Sequence, residues 1–271
     1  MAGIRKRTKK EKPSFKEALV RWGLILAFLG VWEYNARTGV WDVFYTSSPW
    51  GIITDLYEFA ASGELYYHSM ITIKEALSGL LIGSALGVFT GVLFSQVRFI
   101  GRVLSPIITA ISGIPQLTLS PLYILWFGFG FKSKMVLASM MVFFGVFGST
   151  FNAIKDLDQH WIEASSLLGA GPLQTLWHVV LPTCMPWILS GIRSGIGSCM
   201  VGAIMGEYIG ASGGFGWMIS FAASYFDLDR VLACVLILMV FNRVLNRLLD
   251  RLEGRLLHWR KEARLSLSTA E

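Results

Sequence analysis

Long apolar stretches alternate with short polar segments along the chain and predict an all-α, polytopic membrane helix bundle. A helix that crosses the hydrocarbon core of a bilayer needs about 20 mostly apolar residues. Six stretches approach or exceed that length, and the period-two alternation of a membrane β-barrel is absent, so each stretch is expected to be a helix. The predicted spans are 18–34, 70–96, 103–131, 135–152, 187–209 and 231–249.

The third span contains three prolines, the middle one being Pro115, which predict a kink or a break. A proline removes one helical hydrogen bond and clashes with the preceding turn. Broken backbone at membrane depth is tolerated where protein or a water-filled cavity supplies partners. Two interpretations follow for Gln116, Thr118 and Ser120: these side chains line a substrate passage, or they bond neighbouring carbonyls.

Glu207 is the one acidic residue that we place well inside a strong span, the fifth. An intramembrane carboxylate is costly and by default indicates a functional site, here on the substrate pathway. Because Glu207 lies close to the predicted outer end of its span, a partly hydrated interfacial carboxylate is the other interpretation.

Small residues recur every four positions in the second and fifth spans and predict close approach of helix backbones. This packing is either static or part of a sliding motion. The two sets are Gly79, Gly83, Gly87, Gly91 and Ser95, and Ser190, Ser194, Ser198, Gly202, Gly206 and Gly210.

Composition and charge agree with a membrane protein. Of the 271 residues 54% are hydrophobic and only 15% are charged, and the mean hydropathy is +0.54. Soluble domains carry about 25% charged residues. Of 24 Lys and Arg residues, 16 fall in segments that are inside if both termini are cytoplasmic, so the net charge of +6 indicates topology and no nucleic-acid partner. The predicted domains are a basic segment 1–17, a transmembrane domain 18–249 and a tail 250–271.

Catalytic chemistry has no support in the motifs. No phosphate-binding loop is present, and the four His and three Cys lack metal-ligand spacing, so no enzyme, cofactor or metal site is predicted. The letters G-x-S-x-G at 210–214 follow a membrane helix rather than a strand, so we interpret them as a flexible outer loop.

The inner loop 153–186 is the most informative segment. Apolar residues from Leu157 to Leu168 recur at helical spacing, Gly169 suits a helix end, and Pro172 suits the first turn of a new helix. The second helix is expected to end at Pro182. This cytoplasmic helix–turn–helix has too few basic residues to hold DNA phosphates, and a protein-docking role is better supported.

The same loop resembles a known family. Glu163-Ala164-Ser165, then Gly169, then Val179 and Leu181-Pro182 match the pattern E-A-A-x3-G-x9-I-x-L-P with two small departures, at Ser165 and Val179. That pattern is the signature loop of inner-membrane permeases of bacterial ATP-binding-cassette (ABC) importers. The segments 126–130 and 206–207 resemble the nitrate/sulfonate/taurine-type branch.

The resemblance implies a multi-pass permease in the bacterial inner membrane, surrounded by lipid. Two copies would form the pathway, two separate ATPase subunits would use ATP and Mg²⁺, and an external binding protein would deliver the solute. Glu163 would offer its carboxylate to the ATPase, and Gly169 would permit the turn. An ion channel or secondary transporter without an ATPase is the alternative. The coupling residues that the family resemblance implies are Glu163, Ala164, Ser165, Leu168, Gly169, Ala170, Gly171, Leu181 and Pro182.

Overall fold

The computed structural model describes residues 15–257, which form α-helices joined by short turns and contain no β-strand. Residues 1–14 and 258–271 are not described. Most of the predicted basic segment 1–17 and most of the predicted tail 250–271 therefore lie outside the described residues. The helices are α1 (Phe15–Arg37), α2 (Val43–Thr46), α3 (Pro49–Ala61), α4 (Glu64–Gln96), α5 (Arg98–Ser112), α6 (Ser120–Phe127), α7 (Phe131–Lys155), α8 (Gln159–Leu167), α9 (Pro172–Thr175), α10 (Leu181–Gly210), α11 (Phe215–Ser224) and α12 (Leu228–Leu256).

Three of the six predicted spans are confirmed as helices that are long and apolar enough to cross a membrane: α4, α7 and the continuous stretch Pro172–Gly210. The third predicted span consists of two helical pieces, Phe99–Ser112 and Gln116–Phe127, which reach the required length and apolarity only together and are bent by 82° at the break. The other two predicted spans are α1 and α12, with 23 and 29 residues. Both are helical as predicted, but they do not reach the same combination of length and apolarity.

Helix α7 lies between α4 and α10, and glycines on both neighbours make the approach close. A Cβ atom on Gly79 of α4 would lie 2.4 Å from the Cβ of Ala138, and one on Gly202 of α10 would lie 2.7 Å from the Cα of the same residue. The close packing predicted from the small residues is therefore confirmed. Ser190 and Ser194 of the fifth-span stripe are exposed, because a four-residue repeat drifts around a helix of 3.6 residues per turn.

The bundle has two ends, which position different candidate sites. At the loop end, where α7 leads into α8, Ile154, Val180 and Cys184 form a buried cluster with part of α4. Arg193 of α10 pairs there with Asp250 of α12 at 2.6 Å and, one turn further on, with a second carboxylate, that of Glu253, at 2.5 Å. This ion pair fixes the last part of α12 against α10.

The opposite end, called the distal end here, is closed by α3, α11 and the first turns of α4 and α12. Phe59 of α3 packs edge-on against Phe215 of α11, and both rings are fully buried. The guanidinium of Arg230 lies 4.4 Å from the centre of the Phe59 ring, and its Nε donates to both oxygens of Asp55 at 2.9 Å. Burial raises the pKa of Asp55, and the ion pair with Arg230 opposes that rise.

One expectation about the connecting segments is wrong. The second arm of the inner loop does not end at Pro182, since one helix runs from Pro172 to Gly210. A π-helical turn over Leu176–Val180 widens the helix before Pro182 and accommodates the missing N–H. The loop predicted at 210–214 is present as a short turn over 211–214, in which Gly213 and Gly214 are buried before α11 begins.

Candidate functional site

The hairpin at the loop end, called the α8 hairpin here (residues 156–180), is stabilised by local caps at both ends of α8. Asp158 caps the helix start, since its carboxylate accepts from the backbone N–H of His160 at 3.0 Å. At the other end the N–H of Ala170 donates to the carbonyl of Ser165 at 3.1 Å, while Gly169 adopts φ +83°. This Schellman arrangement needs the left-handed conformation that glycine adopts most readily.

The two arms of the hairpin are joined by a buried hydrogen bond. Ser165 and Thr175, both buried, place their hydroxyl oxygens 3.0 Å apart across the turn. Ser165 is one of the two departures from the family pattern, and here its hydroxyl provides a contact that an alanine would lack. The turn itself is braced by Gln174, whose side-chain oxygen accepts from the N–H of Gly171 at 2.9 Å.

The outer surface of the hairpin is apolar and exposed. Leu167 and Leu168 at its tip are 87% and 88% exposed, and Trp161 and Trp177 are about 60% exposed. Glu163 lies on the same helix with its carboxylate 3.6 Å from Nδ1 of His160. Two leucines and two tryptophans presented with one carboxylate form a surface that suits a protein partner.

The residues predicted for coupling fall into three groups by exposure. Glu163, Ala164, Leu168 and Gly169 are exposed on the hairpin. Ser165 is buried and holds the arms together. The half-buried members lie in the turn and at the start of α10, and these are Ala170, Gly171, Leu181 and Pro182.

The polar residues after the break in the third span all bond backbone carbonyls. The Nε2 of Gln116 donates to the carbonyl of Ile114 at 3.1 Å, and the hydroxyl of Thr118 donates to that of Pro115 at 2.7 Å. Ser120 donates in the same way and is buried, whereas Thr118 remains exposed. All three side chains thus bond nearby carbonyls, as the second of our two interpretations describes.

Glu207 is fully buried at the distal end, at the junction of α4, α10 and α11. Its Oε1 accepts from the hydroxyl of Thr72 at 2.6 Å, and its Oε2 accepts from the N–H of Gly216 at 2.7 Å. The interpretation as a partly hydrated interfacial carboxylate is therefore wrong for this conformation, because no part of the side chain reaches solvent.

Sequence reasoning missed two charged residues beside Glu207. Glu75 is 3% exposed, and its carboxyl lies beside that of Glu207. Lys134 is 4% exposed and donates to the carbonyl of Phe129 at 2.5 Å. A signal for Glu75 was present in the sequence, since it stands four residues before Gly79 and so continues the four-residue repeat of the buried face.

The distal turn before α11 is held by three successive backbone N–H groups. Gly214 donates to Nδ1 of His68 at 3.0 Å, Phe215 donates to the hydroxyl of Thr72 at 2.9 Å, and Gly216 donates to Glu207. Gly214 has φ +97° and a Cβ there would lie 2.2 Å from the Glu207 carboxyl carbon, so only glycine fits. The turn and the acidic residues thus form one unit.

Comparison with known proteins identifies the family. Residues 83–258 match the family described as the binding-protein-dependent transport system inner membrane component, and this match covers more than half of the chain. The chain belongs to this family. The matched residues include α7, the α8 hairpin and α10, so the resemblance drawn from the loop motif is confirmed.

Individual relatives are similar over most of their length. A relative in Bacillus subtilis, named for aliphatic sulfonates transport, is 32% identical over 93% of this chain and 92% of its own. The taurine transport system permease of Escherichia coli is 27% identical over 95% of both chains. A structure of the MetNI methionine ABC transporter in an inward facing conformation has a TM-score of 0.65 over 73% of this chain and 98% of its own, at 19% identity, and shows a shared fold.

Proposed function

We propose that this chain is the membrane-spanning subunit of an ABC importer for a small anionic solute of the sulfonate, taurine or nitrate type. An external binding protein delivers the solute, and separate ATPase subunits supply the energy. Membership of the permease family and the names of the sulfonate and taurine relatives support the proposal. The chain itself contributes a path and a docking element, and ATP with Mg²⁺ is used by the partner.

The observation that carries the proposal is the exposed apolar tip of the α8 hairpin. Leu167 and Leu168 lie almost wholly in solvent on a turn that is fixed by caps and a buried hydrogen bond. A rigid element that displays large apolar side chains is expected to bury them in a partner. A channel or secondary transporter without an ATPase would have no use for this element.

The assembly that follows has two permease copies, two ATPase subunits and one binding protein on the outer side. Each hairpin occupies a cleft on one ATPase, and closure of the ATPase pair moves the two hairpins together. The spans then exchange between outward and inward openings. The basic residues that flank the loop end support a cytoplasmic location for that end and for both termini.

The proposed substrate passage runs between the two copies and past the break in the third span. Exposure of Thr118 and part of Gln116 supports a place for them on this path. Ser120 and Glu207 are buried, so a role for them requires the helices around them to move. At the loop end a cavity of about 500 Å³ between α7 and α10, with Asn152 in its lining, offers an exit.

The test is an uptake assay in vesicles that contain the permease, its ATPase and its binding protein. Glu163→Arg is expected to leave membrane insertion intact but to reduce uptake at least tenfold relative to ATP hydrolysis, because the carboxylate no longer meets a donor on the ATPase. Glu58→Arg, an exposed position on α3 at the distal end, serves as the charge-matched control. Normal coupled uptake by Glu163→Arg would contradict the docking role.

A further inference from the structure

We propose that Glu75 and Glu207 share a single bound proton, and that this buried proton site holds the distal turn before α11 closed. The site lies at the opposite end of the bundle from the α8 hairpin, and it does not depend on the proposed function. Its ligand is a proton held between two carboxyl groups, with the ammonium group of Lys134 nearby.

The hydrogen-bond geometry leaves one position unfilled. Both oxygens of Glu207 accept from donors, the hydroxyl of Thr72 and the N–H of Gly216. Oε2 of Glu75 is buried and faces no donor among the described residues, although the Glu207 carboxyl lies against it. Two ionised carboxylates only accept hydrogen bonds, whereas a protonated carboxyl also donates one. A proton on Glu75 lets it donate to Glu207 and so provides the missing partner.

The charges around the pair require the same proton. Lys134 of α7 supplies one positive charge and is itself bonded to the carbonyls of Phe129 and Gly130. His68 of α4 accepts from the N–H of Gly214 through Nδ1, so its ring is neutral. Helix α11 carries no charged side chain. Two ionised carboxylates would therefore leave a net negative charge in a buried site, which is strongly unfavourable. One proton makes the site neutral.

A metal cation does not suit this position. Lys134 already occupies the cationic role, and a second cation beside it would restore an unbalanced charge. Among residues 15–257 no group of three or more His, Cys, Asp or Glu side chains could hold a metal ion. The proton is the ligand that satisfies both the hydrogen bonds and the charge.

The shared proton links pH to the distal turn. The N–H of Gly216 and, through Thr72, that of Phe215 depend on the position of Glu207. Glutamic acids in water are ionised at neutral pH, so opening that hydrates the pair releases the proton. Closing of the distal turn therefore takes up one proton. Each rise of one pH unit shifts the equilibrium between closed and open turn toward the open state by up to tenfold.

Infrared spectroscopy of the purified full-length chain at pH 7 tests the site directly, because a protonated carboxyl has a carbonyl stretch separate from that of a carboxylate. Labelling glutamate side chains with ¹³C is expected to shift a band that corresponds to one glutamic acid per chain. The band should be lost in Glu75→Gln and in Glu207→Gln. Lys134→Met should double it, since both carboxyls must then be protonated to keep the site neutral.

Glu58→Gln, which changes an exposed glutamate on α3, is the matched control and should leave the band unchanged. The measurement on the labelled wild-type chain needs no substitution, so it decides the question even if a variant fails to fold. Absence of a shifted acid band in the wild type would overturn the proposal. A band that persists unchanged in both Glu75→Gln and Glu207→Gln would overturn it as well. Neither result would bear on docking of the α8 hairpin.

Discussion

Truncation of the two leucines at the tip of the α8 hairpin separates docking from folding. Leu167 and Leu168 are 87% and 88% exposed, so their side chains contribute almost nothing to the packing of the isolated chain. Surface substitutions of this kind change stability by no more than about 0.5 kcal/mol. The double variant Leu167→Ala/Leu168→Ala is therefore expected to insert, fold and unfold like the wild type.

Binding to the ATPase should respond very differently. Burying a leucine side chain is worth about 2 kcal/mol, and nearly the whole of each side chain is available for burial. Loss of both gives an upper limit of about 4 kcal/mol. Since 1.4 kcal/mol corresponds to a factor of ten, the Kd for the ATPase should rise by up to about a thousandfold.

The assay is titration of the ATPase against the permease in lipid nanodiscs, with thermal unfolding of the same samples. Tyr57→Ala is the control, because Tyr57 is 75% exposed but lies on α3 at the distal end. It should bind the ATPase like the wild type. A Kd for the double leucine variant within threefold of the wild-type value would refute the reasoning, and so would an equal loss of affinity in Tyr57→Ala.

The remaining predictions concern the hairpin turn, the α10–α12 ion pair and the glycine face. Gly169→Ala should lower coupled ATPase activity about tenfold, because a side chain at φ +83° costs about 1–2 kcal/mol. Gly171→Ala should leave that activity unchanged, because Gly171 has φ −71°. Arg193→Met removes a partly exposed ion pair worth about 1 kcal/mol and should lower Tm by about 3 °C, less at high salt. Gly83→Leu should prevent folding, measured by gel filtration, because its Cβ would lie 2.5 Å from a backbone oxygen of α7. Gly30→Leu should fold like the wild type, because a Cβ at that position meets nothing within 4 Å.

Features set by neighbours in sequence were predictable. The turn of the α8 hairpin follows from Gly169 and Pro172, since caps act over three or four residues, and the long apolar stretches fix most of the spans. The continuation of the helix through Pro182 could not be read from the same pattern. It depends on a π-helical turn that keeps the helix continuous, and a proline in sequence normally indicates an end.

Features set by contacts between distant helices were not predictable. The proximity of Glu75, Lys134 and Glu207 depends on which faces of α4, α7 and α10 meet, and a single sequence does not state that. Helix α11 was missed because its ten residues are too few for a span and follow glycines typical of a loop. Gln116 and its neighbours were identified as polar residues at a break, but the sequence did not show which groups they bond.

The unbroken helix from Pro172 to Gly210 has a mechanical consequence. Its 39 residues reach about 58 Å at 1.5 Å per residue, which exceeds the thickness of a bilayer core. One end carries an arm of the hairpin, and the other ends three residues after Glu207. If a cytoplasmic partner tilts the hairpin end, this helix would therefore move as one rigid rod. Its distal end would then move in the opposite direction, with the contact to α7 as the pivot.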